Sequence, residues 1–69
     1  MLQNQNHVPH EIRLYNTSEV AAILGVSLRT VQTWVKDGTL PHIRLGEGQK
    51  LVRVQGKDID VLIRSGRRR

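Results

Sequence analysis

Sixty-nine residues make one small domain at most, and with no cysteine the chain has no disulfide or thiolate metal site to staple it. Eleven Lys and Arg against six Asp and Glu give a net charge of +5, a balance that favours nucleic acid over an acidic protein or a membrane surface as partner. No apolar run approaches the roughly 18 residues that span a bilayer, and the polar start Met1-Leu2-Gln3-Asn4-Gln5-Asn6 has no signal-peptide pattern, so a soluble, cytoplasmic protein is expected.

In chain order, residues 1–11 read as a flexible N-terminal arm: they are polar, lack apolar periodicity and contain Pro9. His7 and His10 stand in an H-x-x-H spacing, but no third ligand lies near them and solvated histidines are the expectation. The folded domain is expected over residues 12–64, entered through the extended stretch Ile12-Arg13-Leu14-Tyr15. Asn16-Thr17-Ser18-Glu19 then has capping-box spacing, with Asn16 or Thr17 as the N-cap of a first helix. That helix carries Val20, Ala21, Ile23 and Leu24 at helical spacing, and Gly25 stops it.

Ser27 is placed to cap a second helix that runs through Asp37 and ends at Gly38. Val31, Trp34 and Val35 form its apolar stripe. The opposite face shows Arg29, Thr30, Gln32, Thr33 and Lys36, either a merely solvated face or a reading one. After Leu40-Pro41, the alternation in His42-Ile43-Arg44-Leu45 and Leu51-Val52-Arg53-Val54 around Gly46-Glu47-Gly48-Gln49-Lys50 predicts a β-hairpin. Ile43, Leu45, Val52 and Val54 are expected to face the core, leaving Arg44 and Arg53 together on the outer face. Like charges so placed suit a phosphate backbone, or else two solvated side chains. Gln55-Gly56 reads as a turn, and residues 57–64 as a closing helix packed through Ile59, Leu62 and Ile63. Residues 65–69 form a basic tail whose Arg67-Arg68-Arg69 supplies +3 of the net charge.

Two short helices joined through Gly25-Val26-Ser27 make a helix-turn-helix, and the whole reads as an α+β, mainly helical, winged helix-turn-helix. Gly25 permits the reversal, Val26 plugs the corner, and Ser27 starts the second helix with free N–H groups that favour phosphate. The second helix is the right length for the major groove, where Arg29 suits guanine and Gln32 suits adenine. Thr30 and Thr33 offer hydroxyls and methyls, and Lys36 lies nearer the backbone. The hairpin is the expected wing, aimed at the neighbouring minor groove or its phosphates.

The run Tyr15-x-Thr17-x-Glu19-x-Ala21-Ala22-x-Leu24-Gly25-Val26-Ser27-x-x-Thr30-Val31-x-x-Trp34-Val35-x-x-Gly38-x-Leu40-Pro41 resembles the MerR-like winged-helix domains of phage and transposon excisionases. Ile43-Arg44-Leu45-Gly46, Val52-Arg53-Val54 and Lys57-Asp58-Ile59 continue the likeness into the wing and closing helix. The resemblance implies a recombination directionality factor of a phage or mobile element, working in a bacterial host cell at the nucleoid. Such a protein binds repeated double-stranded DNA sites, often several protomers side by side, bends the DNA, and turns a tyrosine-type integrase toward excision.

Carried over residue by residue, the recognition-helix contacts fall on Ser27, Arg29, Thr30, Gln32, Thr33 and Lys36. The wing contacts fall on Arg44, Gly46, Gly48, Gln49, Lys50 and Arg53, and the tail adds Arg67, Arg68 and Arg69. Glu47, an acid in a wing that is usually basic, puts minor-groove insertion in doubt. Leu28, often polar in relatives, reads either as a lid on Leu24 or as an exposed apolar spot for a neighbouring protomer.

Neither a cofactor nor a metal is implied, and no enzyme is expected: the acids Glu11, Glu19, Asp37, Glu47, Asp58 and Asp60 are scattered, and none pairs with a histidine. With only Tyr15 and Trp34 as aromatics, the stacking platforms of RNA readers are missing. The alternative is a small MerR-like or AlpA-like transcriptional regulator of a phage or plasmid. It is disfavoured because no long dimerisation helix or effector region follows within these residues.

Overall fold

The computed structural model describes residues 8–66. Three helices and a small antiparallel sheet make a winged helix-turn-helix: β1 (Leu14–Tyr15), α1 (Thr17–Leu24), α2 (Leu28–Asp37), β2 (Ile43–Leu45), β3 (Leu51–Gln55) and α3 (Gly56–Gly66). The strand order is β1-β3-β2, with β3 in the middle.

The helix ends follow local chemistry. Asn16 and Glu19 form a reciprocal capping box at the start of α1, which removes two orphan amides from the list of unmet donors. Ser27 caps α2 through its hydroxyl, which accepts from the Thr30 amide at 3.1 Å. Gly25 and Gly38 end the two helices in the left-handed region, at φ of 70° and 85°, where a Cβ is costly.

The core is small and aliphatic. Val20, Ala21, Val31, Val35, Leu40, Val54 and Ile59 are buried, and Tyr15, Leu24, Val26, Trp34, Val52 and Leu62 pack around them half-buried. Val26 is thus the expected corner plug. Ile23 and Ile63 stay largely exposed.

Three expectations are corrected. First, the arm does not extend to residue 11: His10–Ile12 form a 3-10 turn docked beside α3. His10 links Tyr15 and Asp60 there, through Nδ1 to the phenol oxygen at 2.7 Å and Nε2 to the carboxylate at 3.1 Å. The expected solvated histidine is therefore a strap. Long-range contacts of this kind have no local sequence signal.

Second, Gln55-Gly56 is no turn. Gln55 ends β3 and Gly56 begins α3 directly, because the Gly56 amide donates to the Arg13 carbonyl at 3.0 Å. The same helix runs on through Ser65 and Gly66, beyond the residue 64 at which the sequence predicts its end. Arg67, Arg68 and Arg69 lie outside the described residues.

Third, the hairpin register differs by one residue. Ile43 pairs with Arg53, Arg44 with Val52, and Leu45 with Leu51. Cross-strand partners share a face, so Arg44 stands on the side of Val52 and Val54, not beside Arg53. Register is set by the connecting loop, and a one-residue slip exchanges the faces of a strand. Here Gly46, Gly48 and Gln49 all take positive φ, a loop geometry that alternation alone does not reveal. Leu45 and Leu51, opposite each other at the tip, remain exposed.

Candidate nucleic-acid interface

Position along α2 decides which side chains meet solvent. Val31 and Val35 are buried and Trp34 half-buried, which leaves Arg29, Gln32, Thr33 and Lys36 exposed on the other side. Thr30 is different. It is half-buried, and its hydroxyl lies 2.9 Å from that of Ser27. Both hydroxyls thus lie at the helix start. The α2 dipole keeps its positive end at Ser27.

The hairpin folds toward the exposed side of α2. An open groove of about 470 Å³ separates them, lined by Thr17, Gln32, Val35, Lys36, Arg44, Lys50, Leu51, Val52 and Arg53. Four of those residues are cations and none is an acid. Among the described residues none of the four is in an ion pair, the one carboxylate bridge being His10–Asp60. Arg53 is steadied by its own strand, Nη1 donating to the Val52 carbonyl at 2.8 Å.

The register correction thus has a chemical consequence. Arg44 and Arg53 occupy opposite faces of the hairpin yet both border the groove. Cations gathered around an open concavity without counter-charges repel one another. A polyanion lying in or along the groove relieves that repulsion.

The family model described as "Helix-turn-helix domain" matches residues 14–67. An excisionase of Mycobacterium phage D29 is 39% identical over 46 residues, which cover 67% of this chain and 79% of that protein. The chain belongs to the excisionase family of helix-turn-helix proteins. No solved structure matches it.

As a family member it is a DNA-binding protein, and the sequence-predicted contacts distribute over two elements and a tail. Ser27, Arg29, Thr30, Gln32, Thr33 and Lys36 lie on or at the start of α2, with Gln32 and Lys36 turned to the groove. Arg44, Lys50 and Arg53 meet them from the hairpin, whereas Gly46, Gly48 and Gln49 shape the tip and do not line the groove. Glu47 sits in the 3-10 turn at that tip, exposed and likewise off the groove, so the acid in the wing does not neutralise it.

Thr17 is a polar groove residue outside the predicted contacts. The signal was present: a hydroxyl at the first position of α1, next to the Asn16 cap. Only the packing of α1 against the sheet brings it to α2 and the hairpin.

A second groove, about 520 Å³, is lined by Leu24, Val26, Trp34, Leu62, Ile63, Ser65 and Gly66. It lacks acid–base groups. Among the described residues no cluster of three or more His, Asp or Glu is placed to hold a metal, and no helix is long and apolar enough to cross a membrane.

Proposed function

We propose that this chain is an excisionase that binds specific sites in double-stranded DNA, bends the DNA, and directs a tyrosine-type integrase to excise a phage or mobile element. The observation that carries the reading is the groove between α2 and the hairpin, bordered by Lys36, Arg44, Lys50 and Arg53 with no acid among its lining residues. In this reading α2 enters the major groove, where Arg29 and Gln32 address base edges. Lys36, Arg44, Lys50 and Arg53 hold phosphates on either side. The relative from Mycobacterium phage D29, itself called an excisionase, supports the biological role.

The deciding experiment selects binding sites from random duplexes and retests the winners by gel shift over a protein titration. Short direct repeats, bound in a cooperative ladder and bent in a circular-permutation assay, are expected. Addition of a cognate integrase and attachment-site DNA is expected to give excision only when this protein is present. An inverted repeat bound as one dimeric species, with no effect on excision, would replace the reading by a transcriptional regulator. A pool that yields no preferred duplex would remove sequence-specific binding altogether.

A further inference from the structure

Leu24, Val26, Trp34, Leu62 and Ile63 line a groove of about 520 Å³ that the core does not fill. The first four pack on the core and stay half-buried, and Ile63 is 36% exposed. They come from the end of α1, the turn, the middle of α2 and the second half of α3. The groove is therefore a seam between three helices, not a scatter of single apolar side chains. No charged residue lines it. A concave apolar seam with a tryptophan in its wall is the kind of surface on which partner proteins anchor.

The seam lies at the back of the cationic groove. At about 100° per residue, Trp34 stands roughly 160° around α2 from both Gln32 and Lys36. The two grooves share no residue. A polyanion lying between α2 and the hairpin therefore leaves the seam open.

Charge selects the occupant. The last turn of α3 reaches the seam through Ser65 and Gly66. Arg64 stands just before them, and Arg67-Arg68-Arg69 follow Gly66 directly. The acids of α3, Asp58 and Asp60, belong to its first half, where Asp60 is tied to His10. Asp37, one turn on from Trp34, accepts from the Thr39 amide. A second copy would bring another +5 toward this basic end, which repels it. Carboxylates, in contrast, pair with arginine forks in bidentate fashion.

We propose that the seam is the docking site for an amphipathic helix of a partner protein, its apolar side laid along Trp34 and Ile63 and its acidic end against the arginines. Such a helix presents apolar anchors at i, i+3 or i+4, and i+7. The inference does not depend on DNA reading by α2.

The test uses the full chain without DNA, so that the arginines are not shared with phosphate. A displayed library of short helical peptides is selected on the protein. The winners are then titrated by the fluorescence of Trp34, the one tryptophan of the chain. Peptides with an apolar stripe and an acidic end are expected, and their binding is expected to shift the Trp34 emission to the blue. Ile63→Ser is expected to weaken them about tenfold, as part of one isoleucine side chain is no longer buried. Arg67→Gln, Arg68→Gln and Arg69→Gln combined are expected to weaken them about tenfold as well, as exposed charge pairs are lost. Thermal melts check the fold, and the tail variant keeps the test open if Ile63→Ser unfolds.

Selection of basic peptides, or an affinity that the tail variant leaves unchanged, overturns the acidic partner. A library that yields no binder, or winners that do not move the Trp34 emission, overturns the seam as a docking site. Self-association of the wild type in sedimentation equilibrium, abolished by Ile63→Ser, would give the seam to a second copy and overturn the inference too. In each of these cases a selected duplex leaves the DNA-binding reading standing.

Discussion

Gly56 lies directly beneath the backbone of His10: a Cβ built on Gly56 would stand 1.9 Å from the His10 carbonyl oxygen. The site is buried, and the Gly56 amide is bonded to the Arg13 carbonyl. The approach of the N-terminal turn to α3 thus depends on the absence of a side chain at this position. Overpacking against backbone costs about 1–3 kcal/mol or more. Gly56→Ala is expected to lower the melting temperature by roughly 4–8 °C per kcal/mol lost, read by circular dichroism. An unchanged melt would mean that the turn does not pack there.

The capping box at α1 gives a second stability test. The Asn16 side chain accepts from the Glu19 amide and the Glu19 carboxylate from the Asn16 amide, both at 2.8 Å. Asn16→Ala removes one of these bonds and is expected to cost about 1 kcal/mol, whereas Asn16→Asp, which keeps an acceptor at the N-cap, is expected to cost little. Denaturant midpoints of the two variants check the difference.

Asp37 carries a pH signature. The Thr39 side chain, and then the Thr39 backbone amide, hold the Asp37 carboxyl below its ordinary value. The amide donates to Asp37 Oδ1 at 2.9 Å. A folded value below the unfolded one means a contribution present above the unfolded value and lost as pH falls through the folded one. The Thr39 amide resonance is expected to move in acid with the Asp37 titration, and to show no such step in Asp37→Asn. Since Asp37 is fully exposed, the effect on global stability is expected to be slight.

On DNA, base readers and phosphate holders are expected to separate. Arg29→Ala or Gln32→Ala should cost about 1–3 kcal/mol on the selected site and relax discrimination between sites. Lys36→Ala, Arg44→Ala or Lys50→Ala should weaken selected and random duplexes alike. Each should also reduce the magnitude of the slope of log K against log salt by about one unit. Competition gel shifts at several salt concentrations distinguish the two patterns, and a uniform loss in Arg29→Ala would remove that residue from base reading.

Arg67, Arg68 and Arg69 form the densest positive run in the chain. Removing them is expected to reduce the salt-slope magnitude by about one to three units while the site preference stays intact. An unchanged slope would assign the tail to a contact other than phosphate.

Much of this protein was legible before any tertiary contact was known, because its signals are local. Asn16 and Ser27 start helices and Gly25 and Gly38 end them, since each choice is made by hydrogen bonds and dihedral angles within a few residues. The exposed face of α2 followed from the burial of Val31 and Val35 on the other side.

What the sequence by itself determined, then, was the helix-turn-helix, the presence of a hairpin and the polar side chains that α2 exposes. Only tertiary structure decided which strand face Arg44 occupies, because register depends on a loop with three positive φ angles. It also decided that the Thr30 hydroxyl meets that of Ser27, that His10 straps the N-terminal turn to Asp60, and that Thr17 joins the groove. The strap and the groove depend on residues brought together from distant parts of the chain, and their energies depend on packing that no short window of sequence contains.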